Sequence, residues 1–212
     1  MKKIMSFLFV FALMASSAFA VSTTVVSDTT NTWFDGVSDI PAVNAWVHGS
    51  WPSIAGANWI WAYEKMDSSS KFGPYVFRKS FNLPADAVNI NGTLKITTDN
   101  AYKLYVNGAF IGQDGFVTSP VTTHAADPLH ASRWSSVETY NVDVNLVPGI
   151  NEILVNASNY GGWVNYRTNP AGLVYRLDIT YDQRQEVPEF STLAAGVVLA
   201  GAGMYIAKKR KK

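Results

Sequence analysis

The stretch LKITTDNAYKLYVNGAFIG, residues 94–112, decides the fold. Leu94, Ile96 and Thr98 alternate with Lys95 and Thr97, and Tyr102, Leu104 and Val106 alternate with Lys103 and Tyr105. A period of two sends every second side chain to the same face, so each run reads as a strand with one buried side. Asn107-Gly108 then separates Lys103–Val106 from Ala109–Gly112. An Asn-Gly pair between two such runs marks a hairpin, because a type I′ turn needs positive φ at both central residues.

Working outward, the same alternation returns in Tyr140–Leu146, in Ile153–Ala157 and in Leu173–Tyr181. Tyr75–Phe81 reads as a further strand, although Lys79 shares parity with Phe77 and Phe81. Thr23–Ser27 and Asn58–Ala62 are weaker candidates. Asn91-Gly92, Pro148-Gly149 and Pro84 punctuate other joints. No stretch between Val21 and Glu186 keeps a 3.6-residue apolar period for three turns, and no fixed-period repeat is visible. About eight short strands without helices predict an all-β fold, an antiparallel β-sandwich of the jelly-roll kind.

The chain has 212 residues and no cysteine, so disulfide frameworks, thiolate zinc sites and cysteine nucleophiles are excluded. Its formal net charge of +1 hides a polarised layout. Between Val21 and Pro188 fifteen acidic residues stand against ten basic ones. A nucleic-acid surface needs a basic body, and this body is mildly acidic.

Both ends read as addresses. Lys2 and Lys3 precede an apolar run from Ile4 to Met14, and small residues lead to Ala18-Phe19-Ala20. That is the three-part layout of a secretory signal peptide, residues 1–20, with cleavage after Ala20. At the other end Leu193–Ala207 is apolar or small throughout and is followed by Lys208–Lys212. At ~1.5 Å per residue this run covers about 23 Å, short of the ~30 Å hydrocarbon core until Phe190, Ser191 and Thr192 are added. The five cations would hold that end in the cytoplasm as a transmembrane helix with a basic tail. Val187-Pro188-Glu189-Phe190, a Gly/Ala-rich span and a basic terminus, residues 187–212, together resemble a PEF-type relative of the PEP-CTERM sorting signals. The resemblance implies a membrane-embedded sorting transpeptidase (an exosortase or archaeosortase) that recognises Pro188, Glu189 and Phe190 and removes the tail. It also implies a prokaryotic cell surface as the destination.

The body resembles the galactose-binding-like jelly rolls that accompany glycosidases, including rhamnosidases. The resemblance is carried by Trp59-Ile60-Trp61, by Phe77–Pro84, by Ile96–Gly108, by Leu146–Ile153 and by Asn169–Tyr175. It covers Ala57 to Asp182, mostly strand cores and turns, and implies a sandwich domain over 57–186. Residues 21–56, with Trp46, His48 and Trp51, fall outside it and are expected to pack onto the sandwich edge.

Chemistry is sparse. Glycoside hydrolysis needs two carboxylates across a cleft, and no pair can be nominated. His48, His124 and His130 read as loop histidines, with no G-x-S-x-G elbow, P-loop or H-E-x-x-H near them. The chain is therefore expected to be no enzyme. Asp99 and Asn100, with Asp114 and Asp127, are oxygen ligands suited to calcium, and the galactose-binding-like resemblance implies a structural Ca²⁺. Asp99-Asn100 is equally explained as a turn whose side chains bond their own backbone. For sugars the candidates are Trp134, Asn159, Tyr160, Trp163, Asn165 and Arg167. Indole faces accept the C–H side of a pyranose, and amides and guanidinium bind its hydroxyls. Trp59 or Trp61 is expected in the core, and Trp33, Trp46 and Trp51 at a sheet end or edge. Asn91 and Asn156 head N-x-[ST] sequons, with Asn91 expected at a turn and Asn156 facing outward. The function expected is an exported, non-catalytic surface protein that binds glycans or surface partners through its loops. The rival reading is a structural envelope subunit without a soluble ligand.

Overall fold

The computed structural model describes residues 18–66, 74–115, 117, 133–159, 167 and 169–184. The body spans Ala20–Gln183, and the terminal residues form a second unit. The hydrophobic part of the signal peptide and residues 187–212 with Pro188, Glu189 and Phe190 lie outside the described residues, as do His124, His130 and Asp127. No helix among the described residues is long and apolar enough to cross a membrane.

The alternating runs form twelve described strands. They are β1 (Ala18–Val26), β2 (Thr32–Phe34), β3 (Asp39–Pro41), β4 (Val43–Asn44), β5 (Ile60–Trp61) and β6 (Tyr75–Leu83), then β7 (Ala87–Asp99), β8 (Ala101–Val106), β9 (Ala109–Asp114), β10 (Glu138–Asn141), β11 (Gly149–Ser158) and β12 (Gly172–Arg184). One sheet runs β10-β7-β12-β5-β4, with β1 also on β12, and the other runs β3-β2-β6-β11-β8-β9. The ladders are antiparallel, with Thr98 opposite Leu173 in the first sheet and Val155 between Phe77 and Leu104 in the second.

The two sheets share one apolar core. Leu94, Ile96, Leu173, Tyr175 and Leu177 come from one, and Phe77, Leu104, Ile153 and Val155 from the other, all essentially without solvent exposure. Each such side chain contributes about 1.5–3 kcal/mol on burial. Rings join the layers: Trp61 lies 5.3 Å from Phe77, and the Tyr102 and Tyr140 hydroxyls are 2.9 Å apart. Lys79 sits among apolar neighbours because its ammonium reaches Asp28 at 2.8 Å and the Val26 carbonyl at 2.8 Å.

Asn107 (φ 49°) and Gly108 (φ 78°) both take positive φ, as the hairpin requires. Asn107 does more than turn the chain. Its amide donates to Asn145 O (2.7 Å) and to Asn151 Oδ1 (2.8 Å), and its Oδ1 accepts the Glu152 amide (2.8 Å). Buried Asn151 in turn closes the Pro148-Gly149 turn through Val147 and Gly149.

Three local expectations are corrected. Tyr140–Leu146 is not one strand, because β10 ends at Asn141 and a 3₁₀ turn follows over Asp143–Asn145. Asp143 accepts the Gly92 amide at 2.6 Å, which bends the chain and leaves Val144 93 % exposed while Val142 and Leu146 stay buried. Asn91-Gly92 is no joint: both pair within β7, opposite Thr180 and Ile179. Asn91 is exposed there, and the irregularity falls instead at Asn89 (φ 52°). Asn156 does not face freely outward. It pairs with Val76 and Lys103 in mid-sheet and is half-buried, its Oδ1 covered and unpartnered. Segment 21–56 is woven into both sheets, with β2 and β3 beside β6, and β1 and β4 in the other sheet.

Replacing Asn151 by Ala removes four side-chain hydrogen bonds, to Val147 N–H, Val147 O, Gly149 O and the Asn107 amide. Urea unfolding of Asn151→Ala is expected to show a loss of about 3 kcal/mol with an unchanged m-value.

Candidate functional site

β7 belongs to one sheet and β8 to the other, and a single residue, Asn100, lies between them. This corner is tied to both layers. Asp99 pairs with Gly172 in the first sheet, and the Asn100 amide donates to Ser158 O in the second at 3.0 Å. The Asp99–Asn100 peptide is cis.

The parity of β7 explains why Asp99 is buried away from the core. Leu94, Ile96 and Thr98 point inward, so Thr97 and Asp99 lie on the outer face, yet all are covered. The cover is the loop before β5. Trp51 and Trp59 stack with centroids 4.2 Å apart, and the Trp59 Nε1–H donates to Pro52 O at 3.0 Å. The pair lies directly over Gly172, where a Cβ would come within 2.7 Å of each indole, so only glycine admits this approach. The Trp51 side chain hydrogen-bonds Asp99.

Asp99 is 4 % exposed. Burial pushes its carboxyl up to about 7, against the opposing pull of the hydrogen bonds with Trp51 and Asn100. Above it opens a pocket of about 240 Å³. Trp51, His48 and Trp134 form its aromatic wall, and Asp99, Asn100, Arg167, Asn169 and Pro170 the rest. His48 and Trp134 meet edge to face at 6.1 Å. His48 Nδ1 accepts the Ser50 amide at 3.3 Å, which leaves Nε2 as the ring's donor when neutral. The Asn169 Nδ2 is buried with no partner.

Of the residues nominated for sugar binding, Trp134 and Arg167 meet in this pocket. Asn159 does not line it. It is wholly buried at the end of β11, both amide atoms unpartnered. Tyr160, Trp163 and Asn165 lie outside the described residues. Asp99 and Asn100, nominated for calcium, line the same pocket. His48, Trp51, Asn169 and Pro170 were not nominated, and no spacing rule joins residues 48 and 51 to 134 and 169. Three hollows among the described residues are larger, about 1110 Å³ beside β4, about 580 Å³ over Lys95 and Arg176 and about 270 Å³ beside Asp28 and Lys79. Of these four, the corner pocket alone joins a buried carboxyl to aromatic rings and an unpartnered amide.

Of the side chains nominated for calcium, Asp99 and Asn100 line the pocket. Ca²⁺ takes six to eight oxygens, mostly ionised or carbonyl. Here the carboxyl carries an indole donor and shares its pocket with a guanidinium. Among the described residues no three His, Cys, Asp or Glu converge. Asp114 is buried on β9, opposite Tyr102. The arrangement is that of a small polar cavity with ring faces, able to seat a hydroxyl-bearing ring.

No protein-family model and no curated protein matches the chain. Several solved structures are similar. The α-L-rhamnosidase of Streptomyces avermitilis, complexed with L-rhamnose, is 22 % identical with a TM-score of 0.39, covering 70 % of this chain and 12 % of that one. A family 35 carbohydrate-binding module from an environmental isolate is 15 % identical, TM-score 0.34, covering 74 % of this chain and 98 % of the module. CBM35 from Paenibacillus barcinonensis is 17 % identical, TM-score 0.34, covering 73 % and 97 %. The chain thus spans about an eighth of the rhamnosidase's length. The all-β assignment rests on the strand pairing described above.

The raised pKa makes a directional prediction. Folded Asp99 holds its proton up to about pH 7, whereas the unfolded side chain releases it near pH 3.8. Between these values folding takes up a proton, so the stabilisation present below the lower value is lost as pH rises through the upper one. The thermal midpoint should fall from pH 5 to pH 8. Asp99→Asn should flatten that slope, and an equal slope in the variant would place the titration elsewhere.

Proposed function

We propose that the chain is a non-catalytic glycan-binding protein of the cell surface, built on a galactose-binding-like jelly roll, and that the corner pocket seats a sugar ring. The observation that carries this reading is the convergence of Trp134, His48 and Trp51 with Asp99, Asn100, Arg167 and Asn169 around one cavity of about 240 Å³. The volume lies below the ~300–1,000 Å³ of pockets that take drug-sized ligands, and a single ring suits it. Aromatic faces take the C–H side of the ring. Arg167 donates to hydroxyls, and the buried Asn169 amide supplies an unused donor. Protonated Asp99 can donate as well as accept, whereas the carboxylate only accepts.

Export and attachment follow from the two termini. The N-terminal 1–20 segment directs secretion, and the 187–212 segment holds the body outside the membrane until a sorting transpeptidase removes it at Pro188-Glu189-Phe190. Binding at one pocket is weak, and display of many copies on one surface raises the avidity.

On a glycan array the full-length chain in detergent should bind saturably. Trp134→Ala should weaken that binding at least tenfold, about 1.4 kcal/mol. Absence of binding together with self-association would favour an envelope subunit. Intact mass of protein extracted from the cell surface should lack residues beyond the Pro188-Glu189-Phe190 region, and a retained Lys208–Lys212 cluster would mean an unprocessed anchor.

A further inference from the structure

A second hollow lies along β4. Residues 42–46 continue the line of β4 and are held inward by three backbone bonds. The Ala42 amide donates to Asn31 O (2.8 Å), that of Ala45 to Trp59 O (2.9 Å) and that of Trp46 to Glu64 O (2.8 Å). Ala42 and Ala45 are buried, and the Val43, Asn44 and Trp46 side chains are left at the sheet edge. Val43, Asn44, Trp46, Tyr63 and Glu64 line an open groove of about 1110 Å³. Trp46 meets His48 edge to face at 6.1 Å, and His48 meets Trp134 at 6.1 Å. The imidazole belongs to the pocket's lining and Trp46 to the groove's, and the row of ring contacts Trp46–His48–Trp134 links the two.

We infer that groove and pocket form one cleft for a neutral oligosaccharide of three or more units, with one ring in the pocket and the following units along β4. This rests on the glycan-binding reading above. The groove is more than four times the volume of the pocket, beyond what one ring fills. Its walls repeat the same chemistry: ring faces from Trp46 and Tyr63, hydrogen-bonding groups from Asn44 and Glu64. Among the described lining residues Glu64 is the sole charged group, and the Lys65 ammonium lies 3.6 Å from it, so the pair offers no net charge to select a polyanionic chain. A peptide strand is a poorer fit. β4 is two residues long, and the Ala42, Ala45 and Trp46 amides are already bonded inward, so little backbone is open for strand addition.

The test is a titration of the full-length chain in detergent with gluco-, manno-, galacto- and xylo-oligosaccharides of one to six units. In the series that binds, affinity should rise at least tenfold from one unit to four. Trp46→Ala and Asn44→Ala should each remove that rise while single-unit affinity stays within twofold. Trp134→Ala should weaken every length. Asn44 is exposed, so its variant keeps the test valid should Trp46→Ala fold poorly. Equal affinity for one and four units, or a length dependence that survives both substitutions, overturns the extended cleft and leaves the single-ring pocket standing. Loss of all binding, monosaccharides included, overturns both. A concentration-dependent dimer abolished by Val43→Lys would assign the groove to a second copy and overturn the inference.

Discussion

The corner at Asp99-Asn100 is held from both sides: Asp99 is paired to Gly172 in one sheet, and the Asn100 amide is bonded to Ser158 in the other. One intervening residue leaves the chain no slack between the layers, so the ends of β7, β8, β11 and β12 must meet at the same place. The corner pocket sits on that meeting point. The stacked indoles of Trp51 and Trp59 need the bare Gly172 backbone, and Trp51 of that pair lines the pocket.

That end of the sandwich is also where polar groups are least satisfied. The hydroxyls of Thr97, Thr98 and Ser158 and both amide atoms of Asn159 are buried without partners, and Asp99 is forced toward its neutral form. Each such group costs about 1–3 kcal/mol relative to a satisfied one. The opposite end behaves differently, since Asn107 and Asn151 bond nearly every group the two turns present.

The strands were legible because their information is local. Period-two alternation in Leu94–Thr98, Tyr102–Val106 and Leu173–Tyr181 states which side chains are buried, and Asn107-Gly108 states where the chain reverses. Tyr140–Leu146 misled because Val144 keeps the alternation while the Asp143–Gly92 bond, between residues far apart in sequence, bends the backbone out of the strand. Asn91-Gly92 misled for the reverse reason: a turn-forming pair was absorbed into β7 by its partner β12. Trp134 and Arg167 were found from composition, as an indole and a guanidinium in polar loops. His48 and Trp51 were not, since their segment carries no pattern that says which sheet face it covers.

Residue order alone therefore determined the fold class and the hairpin, because side-chain alternation and turn conformation act over a few neighbouring residues. Only the tertiary structure decided that Asp99 is a buried acid and not a solvated turn residue, and that His48, Trp51, Asp99, Asn100, Trp134, Arg167, Asn169 and Pro170 line one pocket. Those facts depend on which surfaces the sheets bring together and on the removal of water from between them, and no short window of sequence contains either.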